Sequence, residues 1–183
     1  MVASKKIRKQ YQQLLPKLNE TMKVVEDRLS DLPSSDFTIE TNFKPFDSII
    51  NKFGKDKLNH LLEMPDLIRG RIFFSTDYVF EEVIKMLKAI FDKNINKIDK
   101  KKGEAEHGLE YFGVIHCDLL IDGIKFELQV IPIEFKRYKP FLHNIFQQLR
   151  SKNKLSEEEK DKLRKTHNDL YHQLNHWAKN NRK

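Results

Sequence analysis

The residues best placed to do chemistry lie in one predicted hairpin. "YFGVIHCDLLIDGIKFELQVI" (111–131) holds two alternating runs around Asp122-Gly123, and Asp-Gly in that setting is among the strongest local hairpin signals. A two-residue turn there sets Ile121 opposite Ile124, Leu119 opposite Phe126, Cys117 opposite Leu128 and Ile115 opposite Val130, all on one apolar face. The other face pairs Leu120 with Lys125, Asp118 with Glu127 and His116 with Gln129, and Phe112 projects from the same side. Two carboxylates directly across a strand pair repel one another, so water, Lys125 or a cation must compensate. A hard cation such as Mg²⁺ takes one or two carboxylates together with phosphate oxygens. On local grounds two readings stay open: an ordinary solvated face, the commoner in general, and a cation site, which His116 and Phe112 favour slightly. Arg71 sits inside the apolar run "LIRGRIFFS" (67–75), where an unpaired charge is costly, so it calls for a carboxylate or a bound anion. "HQLNH" (172–176) has the histidine spacing of a zinc helix, but Gln173 stands where the base would be. A polar helix face is the better reading there.

These side chains need a scaffold, and the periodicities outline one. Ile7, Tyr11, Leu14, Leu18, Met22, Val25 and Leu29 form one helical stripe, with Pro16 predicting a kink or two consecutive helices. "FTIETNF" (37–43) reads as extended. Ser48, Ile49 and Lys52 fall on a short helix, with Gly54 a plausible stop. Residues 67–75 read as a largely buried strand. "DYVFEEVIKMLKAIF" (77–91) reads as an amphipathic helix with Phe80, Val83, Ile84, Leu87 and Phe91 on one face. The lysine-rich 92–110 stretch reads as a mobile basic loop. "PIEFKRYKPFLHNIFQQLR" (132–150) should be mostly helical. Ser156 and Glu159 have capping-box spacing ahead of a last helix carrying Leu163, Leu170, Leu174 and Trp177. No internal repeat or linker interrupts the 183 residues, so the expectation is one domain, residues 1–183. Its core is expected at about 37–150, between terminal helices at 4–31 and 156–180.

Composition bounds the partners. With 39% hydrophobic and 33% charged residues, the chain reads as soluble and globular, and no apolar run approaches the roughly 20 residues of a membrane span. The single cysteine, Cys117, excludes an internal disulfide and fits a reducing, cytoplasmic setting. A net charge of +7 suits a polyanionic partner such as nucleotides or RNA, against the plain alternative of a lysine-rich solvated surface.

Three segments in order resemble the synthetase domain of the RelA/SpoT family. "FKPFDSIINKF" (43–53) is similar to its Lys-Pro-x-x-Ser-Ile-x-x-Lys element, "DLIRGRIFF" (66–74) to its Asp-Leu-x-Gly-x-Arg-Ile strand, and residues 111–130 to its Tyr-Arg-x-x-His and Glu-Ile-Gln-Ile strands. The match spans roughly residues 40–150. It implies an α+β, nucleotidyltransferase-like fold, a mixed sheet of about five strands flanked by helices. It also implies transfer of a pyrophosphate group from ATP to a ribose hydroxyl, of GDP or GTP in most members and of the tRNA 3′ end in some toxic ones. By the same resemblance Asp66 and Glu127 hold Mg²⁺, and Glu127 also helps deprotonate the acceptor. Lys44, Ser48, Lys52 and Arg71 surround the ATP, with Lys100, Lys101 and Lys102 as a weaker candidate loop over its phosphates. Phe112 stacks on the acceptor base, with His116 and Gln129 as further acceptor contacts. His143 falls near a family histidine, with a plain helix-surface histidine an equal alternative.

The departures concern cations. Asn42, Gly113 and Ile131 stand where the family carries arginine, and Arg69 takes the glycine position with Gly70 beside it. A different acceptor, charges relocated to Arg69 and Lys125, or lost activity would each account for this. Nothing resembles a His-Asp hydrolase domain, so no alarmone hydrolysis is expected. A degenerate nucleotide- or RNA-binding module is the reading from another class. The terminal helices are candidate surfaces for a partner or a homo-oligomer, although such stripes more often pack internally.

Overall fold

The computed structural model describes residues 2–53, 64, 66–75, 77–101, 104–105, 109–110, 114–150 and 155–180. A long helix, α1 (Val2–Leu29), leads into strand β1 (Phe37–Phe43) and helix α2 (Phe46–Phe53). Strand β2 (Ile68–Phe74), helix α3 (Phe80–Phe91) and strands β3 (Ile95–Lys101), β4 (Glu104–Ala105) and β5 (Leu109–Glu110) follow. The chain closes with strands β6 (Val114–Ile121) and β7 (Ile124–Pro132) and helices α4 (Glu134–Arg150) and α5 (Glu157–Asn180). Five strands form one mixed sheet in the order β1-β2-β7-β6-β3, and β4 pairs with β5. Only the β2–β7 contact is parallel; β1–β2, β7–β6 and β6–β3 are antiparallel.

The sheet is two-faced because its strands alternate. On one face Ile68, Ile72, Phe126, Leu128, Val130, Ile115, Cys117 and Leu119 are buried against Leu18, Val25 and Leu29 of α1 and Val83, Leu87 and Phe91 of α3. On the other, Phe73, Val114 and Ile131 are buried with Phe135 and Leu142 of α4 and Tyr171 and Leu174 of α5. That second apolar patch covers only one end of its face. The rest of the face is polar apart from the exposed Leu120.

The hairpin register agrees with the sequence reading pair by pair, from Ile121–Ile124 to Ile115–Val130. Asp122 and Gly123 carry positive φ angles of 49° and 78°, as the tight hairpin turn demands. The Ser156–Glu159 box is formed: Glu159 N donates to Ser156 Oγ at 3.2 Å, and Ser156 N donates to Glu159 Oε2 at 2.7 Å.

Three expectations need correction. Pro16 does not divide the first segment; α1 is one helix of 28 residues. Its buried stripe, Tyr11 to Leu29, continues on both sides of the proline and outweighs one lost backbone bond. The amphipathic helix begins at Phe80, three residues later than expected, after a turn at Asp77 and Tyr78. Its first turn is held by Glu82, whose carboxylate accepts from Val79 N at 3.0 Å. The supposed basic loop 92–110 contains an edge strand of the main sheet and a two-stranded ribbon. A bulge between Ile95 and Lys97 explains why the strand was illegible. It puts Ile95 and Ile98, three positions apart, on the same apolar face, which breaks the period of two.

Candidate functional site

The register lays two polar rows across the open face. One runs Asn42, Arg69, Glu127, Asp118, Lys97; the next runs Glu40, Arg71, Gln129, His116, Asp99. Glu127 lies at the centre of the first, on the middle strand. Its Oε1 accepts from Gln129 Nε2 at 2.8 Å and lies 3.1 Å from His116 Nδ1. Burial pushes its pKa up, but the bonds from His116 and Gln129 and the charges of His116 and Arg69 outweigh that and hold it at about 2. The Asp118–Glu127 repulsion is thus offset on the Glu127 side by Arg69, while Lys97, in register with Asp118, pairs with Asp99 at 3.1 Å.

Asp66 lies two residues before the start of β2. Its Oδ2 accepts from Lys44 Nζ at 2.6 Å and from Arg69 Nη2 at 2.8 Å. Asp66 and Lys44 are both 3% exposed. The strand ends are pinned there, since Lys44 N donates to Leu67 O and Tyr11 of α1 donates its hydroxyl to Lys44 O. Arg69 therefore touches Asp66 and acts electrostatically on Glu127, so the two carboxylates flank one guanidinium. Arg71 stands one row away, with Nη1 3.9 Å from Glu40 Oε2. Ser48 is exposed on α2.

Lys52 lies on α2, but its side chain, like those of Lys100 and Lys101, falls outside what the structure describes. Phe112 and Lys102 lie outside the described residues altogether, as does Gly54. His143 is on α4, held below the usual histidine range by partial burial and by Arg71, Lys139 and Arg69. His172 and His176 are exposed on α5.

Sequence reasoning missed what α4 brings. Lys139 Nζ donates to Gln129 Oε1 at 2.8 Å, and Lys136 Nζ lies 2.9 Å from Glu40 Oε1. Lys136, Lys139 and His143 are spaced three and four apart, one helical stripe facing the polar rows. That spacing was a usable signal, hidden by ordinary lysine abundance. Two departures from the family pattern also acquire a location. Asn42 is the register partner of Arg69, so the neighbouring strand carries a cation at that level. Ile131 is buried under α4 and α5 with Phe73 and Phe135.

Among the described residues no group of three or more His, Cys, Asp or Glu side chains could hold a metal ion. Of the two predicted ligands, Glu127 keeps a carboxylate oxygen open to a cation. Both described bonds to Glu127 land on Oε1, and the ionised carboxylate keeps Oε2 for a hard cation.

The fold is that of the small alarmone synthetases. The small alarmone synthetase 1 of Bacillus subtilis, in a crystal structure bound to its product pppGpp, superposes with a TM-score of 0.55 and 17% identity, over 94% of this chain and 95% of that one. A GTP pyrophosphokinase family protein of Streptococcus pneumoniae gives 0.58 and 16%, over 93% and 88%. No family model and no curated protein matches the sequence. No helix among the described residues is long and apolar enough to cross a membrane.

Proposed function

We propose that this chain is an ATP-dependent pyrophosphokinase, which moves a diphosphate group from ATP to a ribose hydroxyl of GDP or GTP. The observation that carries the reading is the meeting of ionised Glu127 with Arg69, Arg71 and Lys139 on one open sheet face. The near full-length likeness to synthetases of this fold supplies the reaction class. In the reaction the acceptor oxygen bonds to the β-phosphorus of ATP, the bond from that phosphorus to the α–β bridging oxygen breaks, and AMP leaves. Such transfers need charge neutralisation and in-line positioning more than covalent help.

Lys44, Ser48, Lys52 and Arg71 take the donor side, and Phe112, His116 and Gln129 the acceptor side. Mg²⁺, held by Glu127 and Asp66, would supply charge neutralisation on the transferred phosphates. His116 and Gln129 fix the Glu127 carboxylate in one orientation. At a pKa of about 2 Glu127 is a weak proton acceptor, which favours charge-holding over general-base work. The acceptor's proton then passes to water. Lys44 keeps Asp66 neutralised until substrate enters. A cytoplasmic location goes with these nucleotide substrates.

The net charge of +7 favours one second reading, the tRNA 3′ end as acceptor. Purified protein with labelled ATP and Mg²⁺ is offered GDP, GTP, AMP or bulk tRNA in parallel. Label in a guanine nucleotide is the expected result. Label in tRNA selects the second reading, and bound ATP without transfer to any acceptor indicates a non-catalytic nucleotide-binding module.

A further inference from the structure

Lys139 reaches from α4 onto the polar face, where no carboxylate among the described residues is paired with it. Its ammonium has three N–H donors, and among the described residues it makes one hydrogen bond, to the neutral amide of Gln129. No carboxylate lies within ion-pair distance of it among those residues. The carboxylates that face it have nearer partners: Glu40 is bonded by Lys136 from α4 and approached by Arg71 from β2, and Glu127 on β7 is bonded by His116 and Gln129. Among the described residues, Arg69 and Arg71 on β2 and His143 on α4 are the other titratable and charged groups that act on it or respond to it. Among the described residues Lys139 thus shares this part of the face with the Arg69 and Arg71 guanidinia, while Glu40 and Glu127 are each bonded by other groups.

We propose that Lys139, with Arg71 and Arg69, forms a binding site for a diphosphate group, and that Lys139 sets its affinity. A diphosphate suits this place better than a single carboxylate. Its several anionic oxygens can pair at once with the spare Lys139 donors and with the Arg71 guanidinium, whose described contact is a long one. Burial first, then Arg71, drives the Lys139 pKa down to about 7, against the opposing pull of Glu127 and Glu40. The inference rests on the pyrophosphokinase reading for its physiological ligand, but not for its test.

Calorimetric titration of the full chain with inorganic pyrophosphate, ATP and GDP tests it. Wild type binds pyrophosphate; Lys139→Met weakens this by about tenfold, the worth of one charge-assisted bond, and Lys139→Arg retains it. A purely structural lysine would give lower stability and unchanged affinity on truncation, whereas ligand-free Lys139→Met should be at least as stable as wild type in urea. If Lys139→Met does not fold, Lys139→Gln serves the same comparison. Wild type that does not bind pyrophosphate, or a truncated variant that binds it equally well, overturns the proposal. Whichever of ATP and GDP loses affinity alongside pyrophosphate identifies the donor or the acceptor as the occupant. Pyrophosphate bound through Lys139 by a protein that transfers nothing leaves this site standing and removes the pyrophosphokinase reading. Transfer from ATP with unchanged affinities in Lys139→Met does the reverse.

Discussion

Glu127 is ionised throughout the neutral range because two donors and a guanidinium surround it. Glu127→Gln keeps the shape and removes the charge. Transfer in that variant should fall by roughly 10²-fold or more, as when one group stabilising transition-state charge is removed, with circular dichroism and thermal melting close to wild type. A variant retaining wild-type transfer would remove Glu127 from the mechanism. Lys139 gives a prediction on the alkaline side. In the unfolded chain it keeps its proton up to the ordinary 10.5, and in the folded protein it loses it at about 7. Between those values the unfolded state binds more protons, so this group makes stability rise with pH. Urea unfolding of wild type and Lys139→Met across pH 7–10 should therefore differ in slope. Wild type gains on the order of 2 kcal/mol over the variant, after discounting for partial exposure.

At the scale of elements, β2 carries the site's two arginines on one face and its packing on the other. Gly70 lies between Arg69 and Arg71 and points into the core. A Cβ there would meet Leu128 Cδ1 and Phe126 Cε1, each at 2.8 Å. Both neighbours are wholly buried, so neither yields without disturbing the parallel β2–β7 contact that sets Arg69 beside Glu127. Gly70→Ala should cost about 1–3 kcal/mol in urea unfolding and weaken ATP binding as well. An unchanged midpoint would show that the core relaxes there. The hairpin is more autonomous, because Asp122-Gly123 and strict alternation specify its register locally. Edge strand β3 is the opposite case, its bulge making sense only against β6.

In the molecule as a whole, α4 and α5 close one end of the polar face and leave the other open. Phe73 and Ile131 of the sheet are buried there only because Phe135, Tyr171 and Leu174 cover them, with Phe135 and Tyr171 in ring contact at 5.3 Å. A chain ending at Leu155 would lose α5 and uncover this cluster. We expect it to bind hydrophobic dyes and to melt without a cooperative transition, as followed by near-UV circular dichroism. A cooperative melt like that of the full chain would assign α5 a role other than packing.

The sequence by itself determined the local geometry: the hairpin and its register, the short helix after β1, the capped last helix, and the common polar face of Glu127, Gln129 and His116. Each depends on neighbours a few residues apart, where turn chemistry and side-chain periodicity act directly. The motif resemblance pointed further, to the synthetase fold. Only the tertiary structure decided which cations meet those groups. Arg69 reaches Glu127 through a parallel pairing of strands more than 50 residues apart in sequence, Lys44 reaches Asp66 across the β1–β2 ends, and Lys139 arrives on a helix that reads as ordinary lysine-rich surface. Charges act through space at several ångströms, and spacing along the chain carries no record of that distance.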